Sequence, residues 1–133
     1  MDKLQKAREF FSGDKFATEA TGIVLEDVGE RYAKCSLKIQ PHHKNAVGAV
    51  MGGVYFTLAD FCFAVATNFE QQNVTVTVVS QMNFLSATRG DTLFAESKVI
   101  KDGRTNCFYE IKITDNLGKK IAVASFTGTH LNK

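Results

Sequence analysis

Tryptophan is absent from the 133 residues, proline occurs once and cysteine three times. The cysteines, Cys35, Cys62 and Cys107, are widely spaced and form no C-x-x-C pair, which argues against a disulfide framework and against a zinc site. We expect reduced thiols in a cytoplasmic protein. The net charge of +2 includes no basic block longer than Lys119-Lys120, which argues against nucleic acid or a membrane surface as the partner.

We also expect no export signal, because the N-terminus, M-D-K-L-Q-K-A-R-E-F-F, is charged and amphipathic. No repeat, linker or low-complexity segment interrupts the sequence. A chain of this length is sufficient for one hydrophobic core and too short for two. We therefore expect a single domain over residues 1–133, with an N-terminal helical segment over residues 1–20.

A stretch over residues 46–68 contains one charged residue, Asp60, among apolar and small side chains. Its acid, its adjacent glycines and its polar residues favour a core helix over a membrane span. Burial of a lone carboxylate costs several kcal/mol unless the group is paired or hydrogen-bonded. We expect Asp60 to be buried and to take part in chemistry, since perturbed acids cluster at functional sites. The alternative is an acid that only bonds a neighbouring group.

Hydrophobic periodicity divides the chain into helices and strands. The Asp102-Gly103 pair is a strong signal for a two-residue hairpin. Only the central helix is apolar nearly all round, so the order of elements predicts an α+β fold in which a curved antiparallel β-sheet wraps around one long α-helix. The predicted elements are helices over residues 2–11 and 50–69, a helical turn over 14–20, and strands over 23–28, 31–40, 74–84, 92–101, 104–115 and 119–130.

Gly52 and Gly53 fall within the first turn of the central helix. Backbone N–H groups at a helix N-terminus are free and carry partial positive charge, and glycine lets a carbonyl approach them closely. Such donors stabilise the oxyanion of acyl transfer, whereas the alternative is a pair that only allows close packing at a bend. From Gly53, small or polar residues recur through Thr57, Asp60, Ala64 and Thr67, a stripe that predicts contact with another protein surface or a ligand.

The motif N-x-x-G-x-x-x-G-G-x-x-x-x-L-x-D, which runs from Asn45 to Asp60, resembles the signature of PaaI-like hotdog-fold acyl-CoA thioesterases. The F-L-x-x-x-x-G-D-T-L segment over residues 84–93 and the D-G-R-T hairpin over residues 102–105 are similar to that family as well. The resemblance implies the hotdog fold, in which a curved antiparallel sheet surrounds a long helix. This agrees with the pattern of helices and strands.

The resemblance also implies roles for the matching residues. Asp60 would be the catalytic carboxylate, either as the general base for water or as a nucleophile toward the thioester. Gly52 would donate its N–H to the oxyanion, and Asn45 would position water or the substrate carbonyl. The site of this family lies between two protomers, which implies a homodimer or a homotetramer of two dimers. No metal and no organic cofactor is needed.

Met51 replaces the histidine that usually precedes the two glycines in this family. We expect this replacement to affect substrate preference and rate more than the reaction, because the acid and the backbone donor remain. Met51 and Gly53 are expected to contact substrate. His42 and His43 lie upstream of the motif position and are expected to be solvated loop residues.

Further site candidates lie on the strands. Thr77 falls where some family members carry a Ser or Thr that orients water, and the alternative is an ordinary β-favouring threonine. We expect it opposite a face formed by Val76, Val78, Met82 and Phe84. Phe84 is expected to line an apolar or aromatic acyl pocket. The phosphates of a CoA ester favour basic residues at the mouth of the cleft; the candidates, each also typical of a solvated turn, are Arg89, Lys101 and Arg104.

The sequence therefore predicts an enzyme that hydrolyses acyl-CoA or aryl-CoA thioesters, with the acyl group left open. Hotdog hydratases pair their acid with a histidine a few residues further on, where this chain has Val65. A non-catalytic acyl-CoA-binding or sensing module remains an alternative because of Met51. A purely structural oligomer would leave Asp60 unexplained.

Overall fold

The computed structural model describes residues 1–131, so residues 132 and 133 of the predicted domain lie outside the described part. Each predicted helix and strand is present, with ends shifted by one or two residues. Over residues 1–131, no helix is both long enough and apolar enough to cross a membrane. The elements are α1 (Lys3–Phe11), a π-helical turn (Phe16–Thr21), β1 (Val24–Gly29), β2 (Tyr32–Lys38), a 3₁₀ turn (Pro41–His43), α2 (Gly52–Asn68), β3 (Thr75–Phe84), β4 (Thr92–Asp102), β5 (Asn106–Asp115) and β6 (Lys120–His130).

Six antiparallel strands form one sheet in the order β1-β2-β4-β5-β6-β3. Buried and exposed residues alternate along most of β5, with Cys107, Tyr109, Ile111 and Ile113 on the buried face, as a period of two residues requires. The sheet curves around α2, which contacts every strand. This architecture confirms the predicted α+β fold class.

One side of α2 is buried against the sheet through Leu58, Phe61 and Val65. The sheet does not cover the opposite side. The expectation that Asp60 is buried was wrong for the single chain, because its side chain lies on this uncovered side and is exposed. The apolar sequence of α2 therefore led to an overestimate of the burial of Asp60, because a sequence does not show which side of a helix the sheet leaves uncovered.

β3 lies at an edge of the sheet and pairs with β6. A register shift between Thr77 and Val79 inserts one extra residue, and such a bulge reverses the alternation of side chains beyond it. Met82 and Phe84 therefore share a face with Thr77, and the prediction that they share a face with Val76 was wrong. Val76, Thr77 and Val79 are all exposed along this edge.

The N-terminal helix packs beside β1. Ala7 and Phe11 of α1 are buried in the core, and Arg8 Nε donates a hydrogen bond to Leu25 O at 2.8 Å. The turn that follows α1 places Asp14 and Phe16 next to the open side of α2. The N-terminal segment is therefore part of the surroundings of Asp60.

Candidate active site

The N-terminus of α2 presents a free backbone donor. Met51 precedes the helix with an extended backbone (φ −66°, ψ 138°), and its side chain makes no capping hydrogen bond. Gly52 is the first residue of the helix, so its N–H has no acceptor within the helix. Among the residues that the structure describes, no other group accepts from it. The amide of Gly52 is available to a ligand oxygen.

The loop before α2 is held by Asn45. Its Oδ1 atom accepts hydrogen bonds from the N–H groups of Val47 and Ala49, both at 3.1 Å. Its backbone N–H donates to Ala49 O at 2.8 Å, and Gly48 N–H donates back to Asn45 O. Gly48 has φ +86°, a left-handed conformation that favours glycine. Asn45 therefore shapes the loop with its oxygen, and its Nδ2 group is the part that can face a substrate.

A cavity of about 720 Å³ opens at the N-terminus of α2 and is called here the N-terminal cavity. The ring of Phe84 forms one wall, and its Cζ atom lies 3.4 Å from the position that a Cβ of Gly52 would take. Tyr55 is buried below it, with its ring centre 6.1 Å from that of Phe84. The other lining residues include Lys44, Gly48, Val50, Leu85, Thr88 and Arg89. Apolar walls beside a free amide suit the acyl part of a thioester.

Asp60 lies in a separate hollow of about 300 Å³. Partial desolvation first, and then repulsion from the Asp14 carboxylate, raise the pKa of Asp60 above its ordinary value. Among the described residues, neither a hydrogen bond nor a cation lowers this pKa, although Lys15 lines the same hollow. Phe16 lines the same hollow, and 70% of its surface is exposed. A carboxylate in such surroundings is a better base than an ordinary surface aspartate.

Gly52 and Asp60 do not meet within one chain. They lie on one helix, and a rise of about 1.5 Å per residue separates them by about 12 Å along its axis. A base that acts through one water has to lie within two hydrogen-bond lengths, about 6 Å, of the reacting group. The single chain therefore holds both chemical groups without bringing them to one substrate carbonyl.

The remaining predicted site residues are divided among several places. The N-terminal cavity brings Gly52, Phe84 and Arg89 together. Met51 and Gly53 line a neighbouring hollow on the other side of the helix N-terminus. Thr77 lies on the exposed edge strand, and Lys101 and Arg104 lie at the β4–β5 hairpin, where Arg104 lines a cavity at the other end of α2.

The prediction that both loop histidines are solvated holds for His42 and was wrong for His43. His43 is 2% exposed and bridges two segments: Gln40 N–H donates to its Nδ1 at 2.9 Å, and its Nε2 lies 2.7 Å from Thr21 O. The backbone oxygen of His43 also accepts from Met51 N–H. This histidine therefore fixes the loop that leads into α2.

Two residues of the site were missed in the sequence. Tyr55 follows Gly52 by three positions, so the helical spacing alone places it on the same face. Asp14 has no such signal, because it approaches Asp60 from a different element of the fold.

The sheet wrapped around α2 and the free amide at the helix N-terminus define an enzyme of the hotdog fold. Residues 47–122 match the family model of the thioesterase superfamily. The chain belongs to this superfamily, as a hotdog-fold thioesterase of the PaaI-like type.

Relatives of known name agree with this assignment. The acyl-coenzyme A thioesterase PaaI of Escherichia coli is 30% identical over 120 residues, which cover 90% of this chain and 84% of PaaI. Human acyl-coenzyme A thioesterase 13 is 28% identical over 96 residues, 70% of this chain and 69% of the human protein.

Solved structures share the fold. The structure of Escherichia coli PaaI superimposes with a TM-score of 0.88 at 23% identity, over 98% of this chain and 94% of PaaI. A hypothetical thioesterase of Streptococcus pneumoniae, solved with coenzyme A, gives a TM-score of 0.83 at 23% identity, over 92% of this chain and 98% of that protein. At this level of identity the two superpositions establish the fold.

Proposed function

We propose that the protein hydrolyses acyl-CoA or aryl-CoA thioesters to the free acid and CoA. The free N–H of Gly52, which opens beside the N-terminal cavity, carries this proposal. The names of the relatives support it, since PaaI and the human protein are both acyl-coenzyme A thioesterases. The S. pneumoniae thioesterase, solved with coenzyme A, supports the same class of ligand.

In this mechanism Asp60 accepts a proton from a water molecule as the water oxygen attacks the thioester carbonyl carbon. The carbonyl oxygen becomes an oxyanion and accepts a hydrogen bond from Gly52 N–H. The tetrahedral intermediate then collapses, the carbon–sulfur bond breaks, and the CoA thiolate takes the proton back from Asp60. Direct attack by the carboxylate is the alternative role of Asp60, and it uses the same oxyanion donor.

We place the complete site between two protomers, with Gly52 from one and Asp60 from the other. The separation of about 12 Å along α2 prevents one chain from supplying both groups to one carbonyl. The exposed stripe on α2 provides a surface that a second copy can cover. The exposed valines of β3 provide an unpaired sheet edge beside it. A homodimer is the minimal assembly, and two dimers would form a homotetramer.

The remaining predicted residues contact the substrate in this proposal. Arg89 and Phe84 line the cavity that holds Gly52, so they bind the portion of the substrate next to the thioester. Asn45 and Thr77 orient water or the carbonyl, and Met51 with Gly53 lines the approach. Lys101 and Arg104 bind CoA phosphates from a neighbouring protomer, since they lie far from the N-terminal cavity of their own chain.

We further propose that residues 1–133 act as one domain in the cytoplasm. The helical segment over residues 1–20 belongs to this domain, because α1 buries Ala7 and Phe11 in the common core.

Release of free thiol from short, medium, long and aromatic acyl-CoAs tests the activity. Asp60→Asn should lower kcat by at least about a hundredfold, which is the contribution of a positioned base. Glu110→Gln, which removes an exposed carboxylate from β5, is the matched control and should keep the wild-type rate. Near-normal turnover by Asp60→Asn would contradict the mechanism.

Met51, which is 57% exposed where the resembled family has histidine, favours one second candidate, a non-catalytic acyl-CoA-binding module. In that case every acyl-CoA would bind, as measured by calorimetry, while thiol release stayed at background. Thiol release by the wild-type protein that depends on Asp60 excludes this candidate.

A further inference from the structure

The C-terminal end of α2 faces a polar cavity of about 410 Å³ that the thioesterase mechanism does not use for its chemistry. Asp102, Cys107 and His130 meet beside this cavity. One ligand atom from each, a carboxylate oxygen, the thiol sulfur and an imidazole nitrogen, lies within 4.8 Å of the other two. Within the described chain this is the one group of three or more such residues with that geometry.

Hydrogen bonds from other side chains position two of these groups, His130 and Asp102. His130 Nδ1 lies 2.6 Å from Thr75 Oγ1, and His130 Nε2 lies 2.7 Å from Asp102 Oδ1. Arg31 Nε donates to the other oxygen of Asp102, Oδ2, at 2.7 Å. One nitrogen of the imidazole and one oxygen of the carboxylate are thereby fixed, and the remaining nitrogen and oxygen face each other. Outer hydrogen bonds of this kind orient the ligands in metal sites.

The backbone is shaped to admit the thiol. Gly128 on β6 lies opposite Cys107 on β5. A Cβ at Gly128 would lie 3.0 Å from Cys107 Sγ and 2.8 Å from Thr75 Cγ2, so a larger residue would push both side chains away. Cys107 itself is fully buried. A glycine at this position keeps the sulfur and the threonine that supports His130 close together.

We propose that Asp102, Cys107 and His130 bind one Zn²⁺ ion, with a water molecule from the polar cavity as the fourth ligand. Sulfur, imidazole nitrogen and carboxylate oxygen are the donors that Zn²⁺ takes, and four ligands complete its tetrahedron. The hard cations Mg²⁺ and Ca²⁺ prefer oxygen ligands and are disfavoured by the thiolate. The sequence does not indicate this site, because the three residues are not close enough in sequence to form a recognisable motif and come together only in the folded sheet.

Binding changes the protonation of two ligands. Burial opposes ionisation of Asp102, but the hydrogen bonds from His130 and Arg31 outweigh it and hold the pKa of its carboxyl below the usual value. Burial raises the pKa of the Cys107 thiol, so this group is protonated in the metal-free protein. Zn²⁺ binding releases the thiol proton to solvent. The imidazole then carries its proton on Nδ1 and donates it to Thr75 Oγ1, which leaves Nε2 for the metal.

The ion would join three strands. Asp102 ends β4, Cys107 lies near the start of β5, and His130 ends β6. A ligand that binds the folded chain and not the unfolded chain raises the free energy of unfolding. We therefore expect Zn²⁺ to raise the Tm of chelator-treated protein, and Mg²⁺ to leave it unchanged.

Cobalt substitution tests the ligands directly. Chelator-treated full-length protein is titrated with Co²⁺, whose thiolate complexes absorb in the near ultraviolet. The wild-type protein should bind one cobalt ion per chain, and added Zn²⁺ should displace it. Cys107→Ser should lose the near-ultraviolet band, and His130→Gln should bind at least about tenfold more weakly.

His42→Gln removes an exposed histidine elsewhere and should bind as the wild type does. Circular dichroism shows whether Cys107→Ser folds; if it does not, the partly exposed His130→Gln decides the outcome. The proposal is overturned if excess cobalt gives the wild-type protein no band, if the band persists in folded Cys107→Ser, or if His130→Gln binds with wild-type affinity.

Discussion

The ring of Phe84 lies against Gly52, with Cζ 3.4 Å from the point that a Cβ of residue 52 would occupy. This is an ordinary van der Waals distance, so the chain tolerates a small side chain at position 52. The first position of a helix also tolerates proline. The extended backbone of Met51 suits a following proline as well. A substitution at position 52 can therefore remove the backbone N–H without disrupting the helix.

Gly52→Pro should remove the N–H of the proposed oxyanion donor and leave the helix intact. We expect kcat to fall by about a hundredfold to a thousandfold, the usual cost of one lost donor. Gly52→Ala is the matched control, because it adds a Cβ and keeps the N–H. It should keep most of the wild-type rate. Steady-state kinetics measures the difference, with Tm as the check on folding. Equal rates in the two variants would exclude the Gly52 amide as the donor.

Mixing two inactive variants should restore activity if the site lies between protomers. In a heterodimer of Asp60→Asn with Gly52→Pro, one site combines both defects and the other combines an intact Asp60 with an intact Gly52. Random exchange of subunits in equal amounts should therefore recover about a quarter of the wild-type activity per chain, from the statistics of pairing in a closed two-fold assembly. If the subunits have exchanged and activity does not recover, Asp60 and the Gly52 N–H of one site come from the same protomer.

Asp14→Asn should shift the acid limb of the pH–rate profile. Desolvation and the charge of Asp14 both raise the pKa of Asp60, so the wild-type rate should fall with decreasing pH at values above those of an ordinary aspartate. Removal of the Asp14 charge leaves desolvation in place and should move this limb to lower pH. The profile of kcat/KM between pH 3 and pH 8 measures the shift. An unchanged limb would show that Asp14 does not act on the base.

Asp115→Ala should destabilise the fold beside the N-terminal cavity. The buried carboxylate accepts Thr88 Oγ1–H at 2.6 Å and the backbone N–H groups of Leu117 and Lys119 at 3.0 and 2.9 Å. Loss of these acceptors should lower Tm by about 5 °C or more. Asp115→Asn is the conservative control, because its Oδ1 can still accept from both backbone groups. A Tm within experimental error of the wild type in the alanine variant would contradict this role.

The same carboxylate gives a pH dependence of known sign. The hydrogen bond from Thr88 and those from the two backbone N–H groups outweigh desolvation and hold the pKa of Asp115 below its ordinary value. A lowered folded-state pKa stabilises the protein above the pKa of the unfolded chain, about 3.9, and this contribution is lost as the pH falls below it. The difference in Tm between wild type and Asp115→Asn should therefore shrink in acid.

Local patterns were sufficient to predict the helices, the strands and the free N–H of Gly52. Periodicity depends on which residues share a face, and an N-terminal glycine exposes its amide in any helix. The burial of His43 and the approach of Asp14 to Asp60 depend on contacts between distant segments, which no local pattern contains. The bulge in β3 depends on pairing with β6, so the face of Met82 and Phe84 was assigned incorrectly.

β3 is ten residues long and contains no charged residue, glycine or proline. Natural edge strands are usually protected against pairing with the wrong chain by charges, proline or bulges, and of these β3 has only the bulge between Thr77 and Val79. If the assembly is the proposed one, a subunit without its partner exposes this edge and is prone to aggregate through it. Val79→Lys adds a charge to this edge, so it should improve the solubility of the protein while preventing the proposed assembly.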